Sequence, residues 1–306
     1  MKHINVKIQD VISFLGDDLI EVVGNPTDII VDNVADVEHT NVTTLDWINP
    51  VRPNQQEMAE NTPAKVVLAT SKVEYSEIMK TSGKVLLIVN KPRLMLAKII
   101  AEFFVEKPKA MIHPSAVIDE DAVIDDSVFV GAGCVIGKVK IGKGTVINPN
   151  VVLYDDVTIG DNCLIHAGTV IGTDGLGCSR EADGTLVKFP HLGGVIIGNN
   201  VEIGANCQIA KGVLSNTLID DGCKINGLCF IAHNCHLEKN VWITGDTMLC
   251  GSTHVKPNTT IYSNVIIREQ STIGEGVTIG MGSVVTKNVP DGEIWVGVPA
   301  RKLEKK

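Results

Sequence analysis

The sequence predicts a mainly β protein, in which a left-handed parallel β-helix of hexapeptide repeats follows a small α/β domain. From Ile112 to Val285 an aliphatic residue returns at almost every sixth position. A short fixed period of this kind is the signature of a parallel β-helix. Three hexapeptides make a triangular coil of roughly 18 residues, so each aliphatic side chain stacks on its equivalent one coil below, inside a narrow prism.

Small residues and scarce aromatic residues support the same fold. The position two residues before each aliphatic residue takes side chains that suit a tight corner, such as Cys134, Thr145 and Cys163. Aromatic residues make up only 4% of the chain, and a thin prism leaves no room for rings. Cys223 and Cys229 also follow the period, and none of the eight cysteines forms a CxxC pair. We therefore expect corner fillers rather than disulfides or a metal site.

Residues 1–108 are expected to form the small α/β domain. The segments 65–69 and 84–89 are short, apolar and rich in β-branched residues, which predicts buried strands. Residues 73–82 between them are expected to form a short helix. Residues 94–104 space their apolar side chains helically on one face, which predicts a second helix.

The solenoid is expected to span residues 109–288, with a C-terminal tail at 289–306. Its period is broken between Ile171 and Ile197 by an inserted loop, residues 172–194, which is rich in glycine and polar residues. A solenoid tolerates insertions at its corners, where they project as loops that commonly carry function. The insertion is therefore expected to help build a pocket.

Charge and hydropathy exclude several classes of partner. The net charge is −9, the pI is about 5.4, and no basic run occurs, so nucleic acid is not an expected partner. The N-terminus has no long apolar core or cleavage site, and no stretch approaches 18 apolar residues. We therefore expect a cytoplasmic protein without membrane insertion.

Several motifs carry a resemblance to a known family. These are IHPSA from Ile112, GTVIGTDGLG (168–177), KFPHLGGVIIGNNVEIGAN (188–206) and IAHN (231–234). Together they resemble the left-handed β-helix acyltransferases that N-acylate UDP-3-O-acylglucosamine in lipid A, and hence lipopolysaccharide, biosynthesis. The N-terminal domain resembles that family's uridine-binding domain more loosely, with LDWINP (45–50) near the family's aromatic stacking motif.

The resemblance implies the catalytic residues. N-acylation requires a base for the proton of the attacking amine and a donor for the oxyanion that develops on a thioester carbonyl. His233 matches the family's base, and histidine suits that role near neutral pH. Gly251 lies one coil later and matches the family's oxyanion-hole amide. Asn234 is assigned to substrate binding, and His191, where the family usually has glutamine, could contact a substrate sugar or phosphate.

The chain also departs from the family pattern. Asn226 stands where the family has an aspartate seven residues before its catalytic histidine, and Gln270 stands near the place of a second family histidine. His236 could orient the base or simply face solvent. His166 and His254 lie at predicted corners, where either could line a ligand cleft.

The C-terminal stretch resembles a second group. Residues 278–303 are similar to the last coil of hexapeptide acetyltransferases that use acetyl-CoA. That resemblance implies a close approach of the cofactor to Gly280, Gly282 and Ser283, with Arg301 or Lys302 meeting its phosphates. The alternative is a simple C-terminal cap with solvated charges.

Uridine recognition is predicted in the N-terminal domain. Trp47 is expected to be exposed in a polar loop, where its indole could stack on a base. Asn49 could supply the paired donor and acceptor that a pyrimidine edge needs. Arg52 stands where the family has a second aromatic residue, and its guanidinium could stack on a base or reach a pyrophosphate. Local packing is the alternative role for Trp47.

The predicted function is therefore N-acylation of a nucleotide-linked amino sugar, UDP-linked or dTDP-linked, by a homotrimer. The expected donor is acetyl-CoA or another short acyl-CoA, with no metal. The first alternative is an acyl carrier protein-dependent UDP-3-O-acylglucosamine N-acyltransferase. The second is a hexapeptide scaffold or binding protein without catalytic activity.

Overall fold

The computed structural model describes residues 4–304. The chain divides into two compact units, Met1–Lys107 and Pro108–Lys306, here called the N-terminal unit and the solenoid unit. The N-terminal unit contains a four-stranded sheet of order Leu19–Val23, Val85–Val89, Val66–Ala69 and Leu45–Trp47, in which only Leu19–Val23 runs antiparallel to its neighbour. Its elements are β1 (Val6–Lys7), α1 (Ile8–Leu15), a 3-10 turn (Gly16–Asp18), β2 (Leu19–Val23), β3 (Ile30–Val31), β4 (Leu45–Trp47), α2 (Gln55–Asn61), β5 (Val66–Ala69), α3 (Glu77–Thr81), β6 (Val85–Val89), α4 (Pro92–Ile99) and a π turn (Ile100–Phe104).

The two central strands, β5 and β6, match the predicted buried strands. Val66 and Leu68 face one apolar cluster, whereas Val67 and Ala69 face a second one on the other side of the sheet. Because both faces are covered, these strands consist of continuous apolar runs. This property made them recognisable in the sequence.

The two predicted helices differ from the structure at their ends. The first begins only at Glu77, because the Ser76 hydroxyl accepts a hydrogen bond from the Met79 amide and so caps the helix there. The second begins at Pro92, which suits a first helical position. It widens into a π turn at Ile100–Phe104, where Phe103 packs edge-on against Phe14 with ring centroids 5.4 Å apart.

The solenoid unit is a triangular prism whose three faces are parallel sheets. The first face contains Met111–Ile112, Phe129–Val130, Val146–Ile147, Leu164–Ile165, Glu202–Ile203, Lys224–Ile225, Trp242–Ile243, Thr260–Ile261, Thr278–Ile279, Ile294–Val296 and Arg301–Lys302. The second contains Val117–Ile118, Val135–Ile136, Val152–Leu153, Val170–Thr173, Gln208–Ala210, Phe230–Ile231, Met248–Leu249, Ile266–Ile267 and Val284–Val285. The third contains Val123–Ile124, Lys140–Ile141, Val157–Ile159, Val195–Ile197, Thr217–Ile219, His236–Leu237, His254–Val255 and Thr272–Ile273.

The aliphatic repeat forms the core of the prism. Ile231 pairs with Leu249 one coil later, and both are fully buried. Ile294–Val296 pairs in parallel with Thr278–Ile279 and so extends the first face into the segment that the sequence analysis separated as a tail. Arg301–Lys302 then pairs antiparallel with Ile294–Val296, as the one antiparallel strand among the described strands of the three faces. The predicted fold class, a left-handed parallel β-helix behind a small α/β domain, is confirmed.

The corners depend on residues that adopt a positive φ. Along the corner between the second and third faces these include Asp156, with φ 63°, and Asn234, Ser252 and Gln270, each with φ 58°. The small residues point inward as expected. Burial raises the pKa of the Cys223 thiol to about 11 and that of Cys235 to about 12. These thiols therefore stay protonated and unreactive near neutral pH.

The insertion leaves the second face after Thr173 and returns to the third face at Val195. It contains an antiparallel hairpin of Cys178–Arg180 and Leu186–Lys188. Within residues 4–304, no helix is long and apolar enough to cross a membrane.

Candidate active site

His233 lies at the corner between the second and third faces. The second-face strand ends at Ile231, and Asn234 supplies the positive φ that turns the chain into the third face. The corner residue before it, His233, is half-buried with its ring outside the prism. Repeat geometry therefore places this histidine at the edge of the solenoid.

Asn234 fixes the orientation of this imidazole. Its Oδ1 accepts the Val213 amide at 3.0 Å, and its Nδ2 donates to the Ser215 hydroxyl at 2.9 Å and to the Ser215 carbonyl at 3.4 Å. Since the amide cannot be reversed without losing these bonds, the contact of 3.1 Å between Oδ1 and His233 Nδ1 requires a proton on Nδ1. His233 Nε2 is left as the basic nitrogen. The hydrogen-bonding groups of Asn234 are thus all engaged within the protein, whereas the sequence analysis assigned it to the substrate.

Gly251 lies directly over His233, one coil later. A side chain at Gly251 would bring a Cβ within 2.6 Å of His233 Nε2 and 2.5 Å of Cε1, so only glycine fits beside the ring. Among the described residues, the Gly251 N–H has no hydrogen-bond acceptor. The structure thus places His233 next to Gly251, the two residues that the sequence analysis predicted to act as base and oxyanion donor.

His191, at the end of the insertion, packs against the same ring. Its centroid lies 5.4 Å from that of His233, with the rings at 73°. The Phe189 carbonyl is 3.1 Å from His191 Nδ1, so Nδ1 carries the proton. The side chain is only 4% exposed, and its Nε2 has no hydrogen-bond partner in the part of the chain that the structure describes. Leaving such an atom unpaired costs about 1–3 kcal/mol.

The insertion also supplies residues that the sequence analysis did not assign. Gly175 lies between the two imidazoles, where a Cβ would be 2.8 Å from His191 Nε2 and 3.0 Å from His233 Cδ2. The neighbouring Asp174 pairs with Lys188 at 2.5 Å and Lys211 at 3.2 Å, and the Lys188 hydrogen bond contributes most to lowering the Asp174 carboxyl pKa. The glycine-rich DGLG motif was a signal for this turn, but its spacing could not show which ring it would contact.

His254 was predicted at a corner, but it lies with His236 in strands of the third face, and both side chains contact carboxylates. His236 Nε2 lies 3.1 Å from Asp220 Oδ2, and His254 Nε2 lies 2.6 Å from Glu238 Oε1. The two rings stack at 4.9 Å and are nearly parallel. His236 therefore has a defined hydrogen-bond contact with Asp220 and does not simply face solvent.

A shallow cavity of about 470 Å³ lies on the first face. His166 lines it and binds Glu202 at 3.1 Å. The wall also includes Lys224, Trp242 and Asn226, the residue that replaces the family's aspartate.

The predicted uridine-binding residues share one cavity within the N-terminal unit. This cavity has a volume of about 630 Å³, and Trp47, Asn49 and Arg52 all line it, together with Glu57. Trp47 was expected in an exposed loop, but it ends β4 and is half-buried because its ring also packs against the core. Asn49 Oδ1 accepts the Val51 amide at 3.1 Å, and its Nδ2 donates to no other group within residues 4–304.

The predicted cofactor-binding residues of the last coil have mixed settings. Gly280 packs tightly, since a Cβ there would be 2.7 Å from Val296 Cγ1. Ser283 is buried, donates to the Gly280 carbonyl at 2.7 Å and accepts the Gly297 amide at 3.1 Å. Gly282 has φ 68° with open space beside it, and Arg301 is exposed. Of the four predicted residues, only Gly282 and Arg301 are exposed where a cofactor could contact them. The cofactor site stays a prediction.

Two family models match parts of the solenoid and show what class of repeat it contains. The model for the bacterial transferase hexapeptide (six repeats) matches residues 138–173 and 252–287, and that for the hexapeptide repeat of succinyl-transferase matches residues 194–226. The solenoid is therefore built from transferase-type hexapeptide repeats. The predicted resemblance to hexapeptide-repeat acyltransferases is confirmed.

Particular relatives share shorter or more distant similarity. The chain is 54% identical over 61 residues to UDP-3-O-acylglucosamine N-acyltransferase 2 of Legionella pneumophila (strain Paris), and 53% identical over 62 residues to the UDP-3-O-acylglucosamine N-acyltransferase of Saccharophagus degradans. Each match covers 20% of this chain and only 18% of the relative.

Solved structures match over a larger share of the chain. The UDP-N-acetylglucosamine acyltransferase of Francisella novicida has 26% identity and a TM-score of 0.58, covering 63% of this chain and 70% of the other. The enzyme of the same name from Campylobacter jejuni has 28% identity and a TM-score of 0.55, covering 63% and 74%.

Proposed function

We propose that this chain is an N-acyltransferase that acylates the amine of a UDP-linked glucosamine derivative. The arrangement of His233 carries the proposal. Asn234 holds the Nδ1 proton, so that the basic Nε2 lies beside Gly251, whose amide is unpaired among the described residues. A base next to an oxyanion donor is what direct acyl transfer from a thioester requires.

The chemistry proceeds without an acyl-enzyme. The acceptor nitrogen forms a bond to the thioester carbonyl carbon while the Gly251 N–H donates to the developing oxyanion. One N–H proton passes to His233 Nε2. When the carbon–sulfur bond breaks, that proton moves to the sulfur, which leaves as a thiol, and the product is an amide.

UDP-3-O-acylglucosamine is the first acceptor to test. Relatives that are 53–54% identical to this chain over 61–62 residues are named UDP-3-O-acylglucosamine N-acyltransferase. This favours the lipid A alternative of the sequence analysis over a short-chain sugar acetyltransferase. The cavity of about 630 Å³ that Trp47 lines in the N-terminal unit has room for a nucleoside base, with Trp47 as the stacking platform.

The donor is the second question. An acetyl-CoA donor is supported by the open turn at Gly282 and the exposed Arg301 in the last coil. An acyl carrier protein donor is the alternative that goes with UDP-3-O-acylglucosamine. Both donors are thioesters, and the same base and oxyanion donor serve either one.

A homotrimer and a cytoplasmic location belong to the same proposal. Eight of the nine outward residues along the second face are apolar: Val117, Val135, Val152, Val170, Phe230, Met248, Ile266 and Val284, with Gln208 as the exception. Three prisms packed with these faces around one axis would bring the His233 corner of one copy beside the Asn226 corner of the next. Sedimentation that gives a monomer would argue against this arrangement.

The test is a thiol-release assay with UDP-3-O-acylglucosamine and with UDP-glucosamine. Each acceptor is offered acetyl-CoA and, separately, a long-chain acyl carrier protein thioester. Turnover by the wild type that disappears in His233→Ala supports acyl transfer, and the active donor identifies the second substrate. Absence of turnover with every acceptor and donor combination would refute the proposal.

A further inference from the structure

Of the polar atoms around the His233 corner, His191 Nε2 is the one that is both buried and unpaired among the described residues. We propose that this atom accepts a hydrogen bond from the acceptor nitrogen and thereby selects an amine over a hydroxyl group. The inference rests on the proposed acyl transfer and assigns a specificity-determining role within that site.

The tautomer of His191 determines what this atom can bind. The Phe189 carbonyl can only accept, so the proton of the neutral ring is on Nδ1 and the lone pair is on Nε2. Nε2 therefore needs a donor. A ligand oxygen without a hydrogen, such as a phosphate or carbonyl oxygen, cannot satisfy it.

The placement of His191 is rigid and close to the base. The backbone after it is fixed to the solenoid, since the Leu192 amide donates to the Val213 carbonyl at 2.7 Å. Val213 is also the residue whose amide orients Asn234 and hence His233. The two histidines thus share one support. A single point beside Gly175 lies within 3.0 Å of both His191 Nε2 and His233 Cδ2.

Gly175 covers His191 Nε2 in the structure, and this turn must move for a ligand to make contact. The turn has no side chain at Gly175 and lies in the irregular stretch between the strands Val170–Thr173 and Cys178–Arg180. A small displacement would open His191 Nε2 on the side where the ring of His233 lies.

The number of protons on the attacking group explains why two hydrogen-bond acceptors, His233 Nε2 and His191 Nε2, suit an amine. A neutral amine has two N–H protons, one of which passes to His233 and then to the departing sulfur. The other stays on nitrogen as the amide N–H, so it can remain bonded to His191 throughout. A hydroxyl acceptor has only one proton, and its ester product has none, so His191 Nε2 would stay buried without a partner.

The experiment compares two ligands that differ at this one atom. UDP-N-acetylglucosamine carries an amide N–H, and UDP-2-O-acetylglucose carries an ester oxygen in the same place. Calorimetry on the full chain should show roughly tenfold tighter binding of the amide to the wild type, the scale expected for a buried acceptor left unpaired. His191→Leu should abolish the preference, and His191→Gln, which keeps an acceptor oxygen, should retain most of it. His236→Leu, at the stacked pair, is the matched control and should leave the preference intact.

The outcomes separate this inference from the proposed function. Equal binding of the two ligands by the wild type, failure of both to bind, or an undiminished preference in His191→Leu would each overturn the role of His191. Turnover in the thiol-release assay without any amide preference would retain the acyl transfer and reject His191 as the selector. A clear preference that His191→Leu abolishes, in a protein without turnover, would retain the selector and reject the acyl transfer.

Discussion

Two pairs of histidines lie on the same side of the solenoid, and their hydrogen bonds differ. In the pair His191 and His233, the Nδ1 atoms contact a carbonyl and an amide oxygen, which leaves both Nε2 atoms unprotonated. In the stacked pair His236 and His254, the Nε2 atoms contact the carboxylates of Asp220 and Glu238. The groups around a ring, rather than the presence of histidine, decide which imidazole keeps an Nε2 that is free of a carboxylate partner.

Removal of the proposed base, His233, should have the largest effect on activity and therefore tests the difference between the two histidine pairs most directly. His233→Ala should lower kcat by about 100- to 10,000-fold, because general-base catalysis contributes on that scale. Thiol release under saturating donor measures it. His236→Ala is the control and should retain near wild-type kcat. Equal losses in the two variants would show that the hydrogen-bond patterns do not distinguish the pairs.

Gly251→Ala should have the next largest effect. Its Cβ would lie 2.6 Å from His233 Nε2, so the ring or the corner must shift, and the oxyanion donor moves with it. We expect a loss of kcat of about 100-fold, the scale of a removed oxyanion donor. Gly245→Ala is a matched control at the preceding corner, where the nearest atom to the new Cβ is 3.2 Å away. An active Gly251→Ala enzyme would contradict the assignment.

Asn234→Ala should lower both kcat and stability, with a smaller effect on kcat than the two preceding variants. It removes the acceptor that holds His233 Nδ1 and leaves the Val213 amide without its partner. We expect kcat to fall about tenfold and the free energy of unfolding to fall by about 1–2 kcal/mol. Urea denaturation and the thiol assay measure the two effects. Asn240→Ala, at the next corner with the same φ of 58°, should affect stability only. An unchanged kcat in Asn234→Ala would contradict the role of Asn234 in holding the His233 proton on Nδ1.

The smallest effect is expected at the stacked pair. The double variant His236→Gln and His254→Gln loses two histidine–carboxylate contacts whose side chains are 28–39% exposed, and such exposed contacts contribute less than about 1 kcal/mol each. Activity should stay within about twofold, and the melting temperature should fall by only a few degrees. A large loss of activity would mean that this pair also contacts a substrate.

Much of the fold could be predicted because a β-helix encodes its geometry in one short period. The 18-residue coil places Gly251 over His233 whatever the rest of the chain does. The contact of His191 with His233 could not be predicted. It depends on the path of an insertion that interrupts the period, and the spacing between the two residues carries no fixed rise or rotation. Trp47 was misplaced for a similar reason, since its neighbours in sequence are polar but its ring packs on residues distant in sequence.

The sequence alone thus determined the prism, its corners and the position of Gly251 over His233, because each follows from the 18-residue coil. Only the tertiary structure decided which nitrogen of His233 is basic, since that depends on how Val213 and Ser215 hold the Asn234 amide. It also decided that His191 Nε2 is buried. Hydrogen-bond direction and burial are set by groups that meet in space, and no local pattern of residues records them.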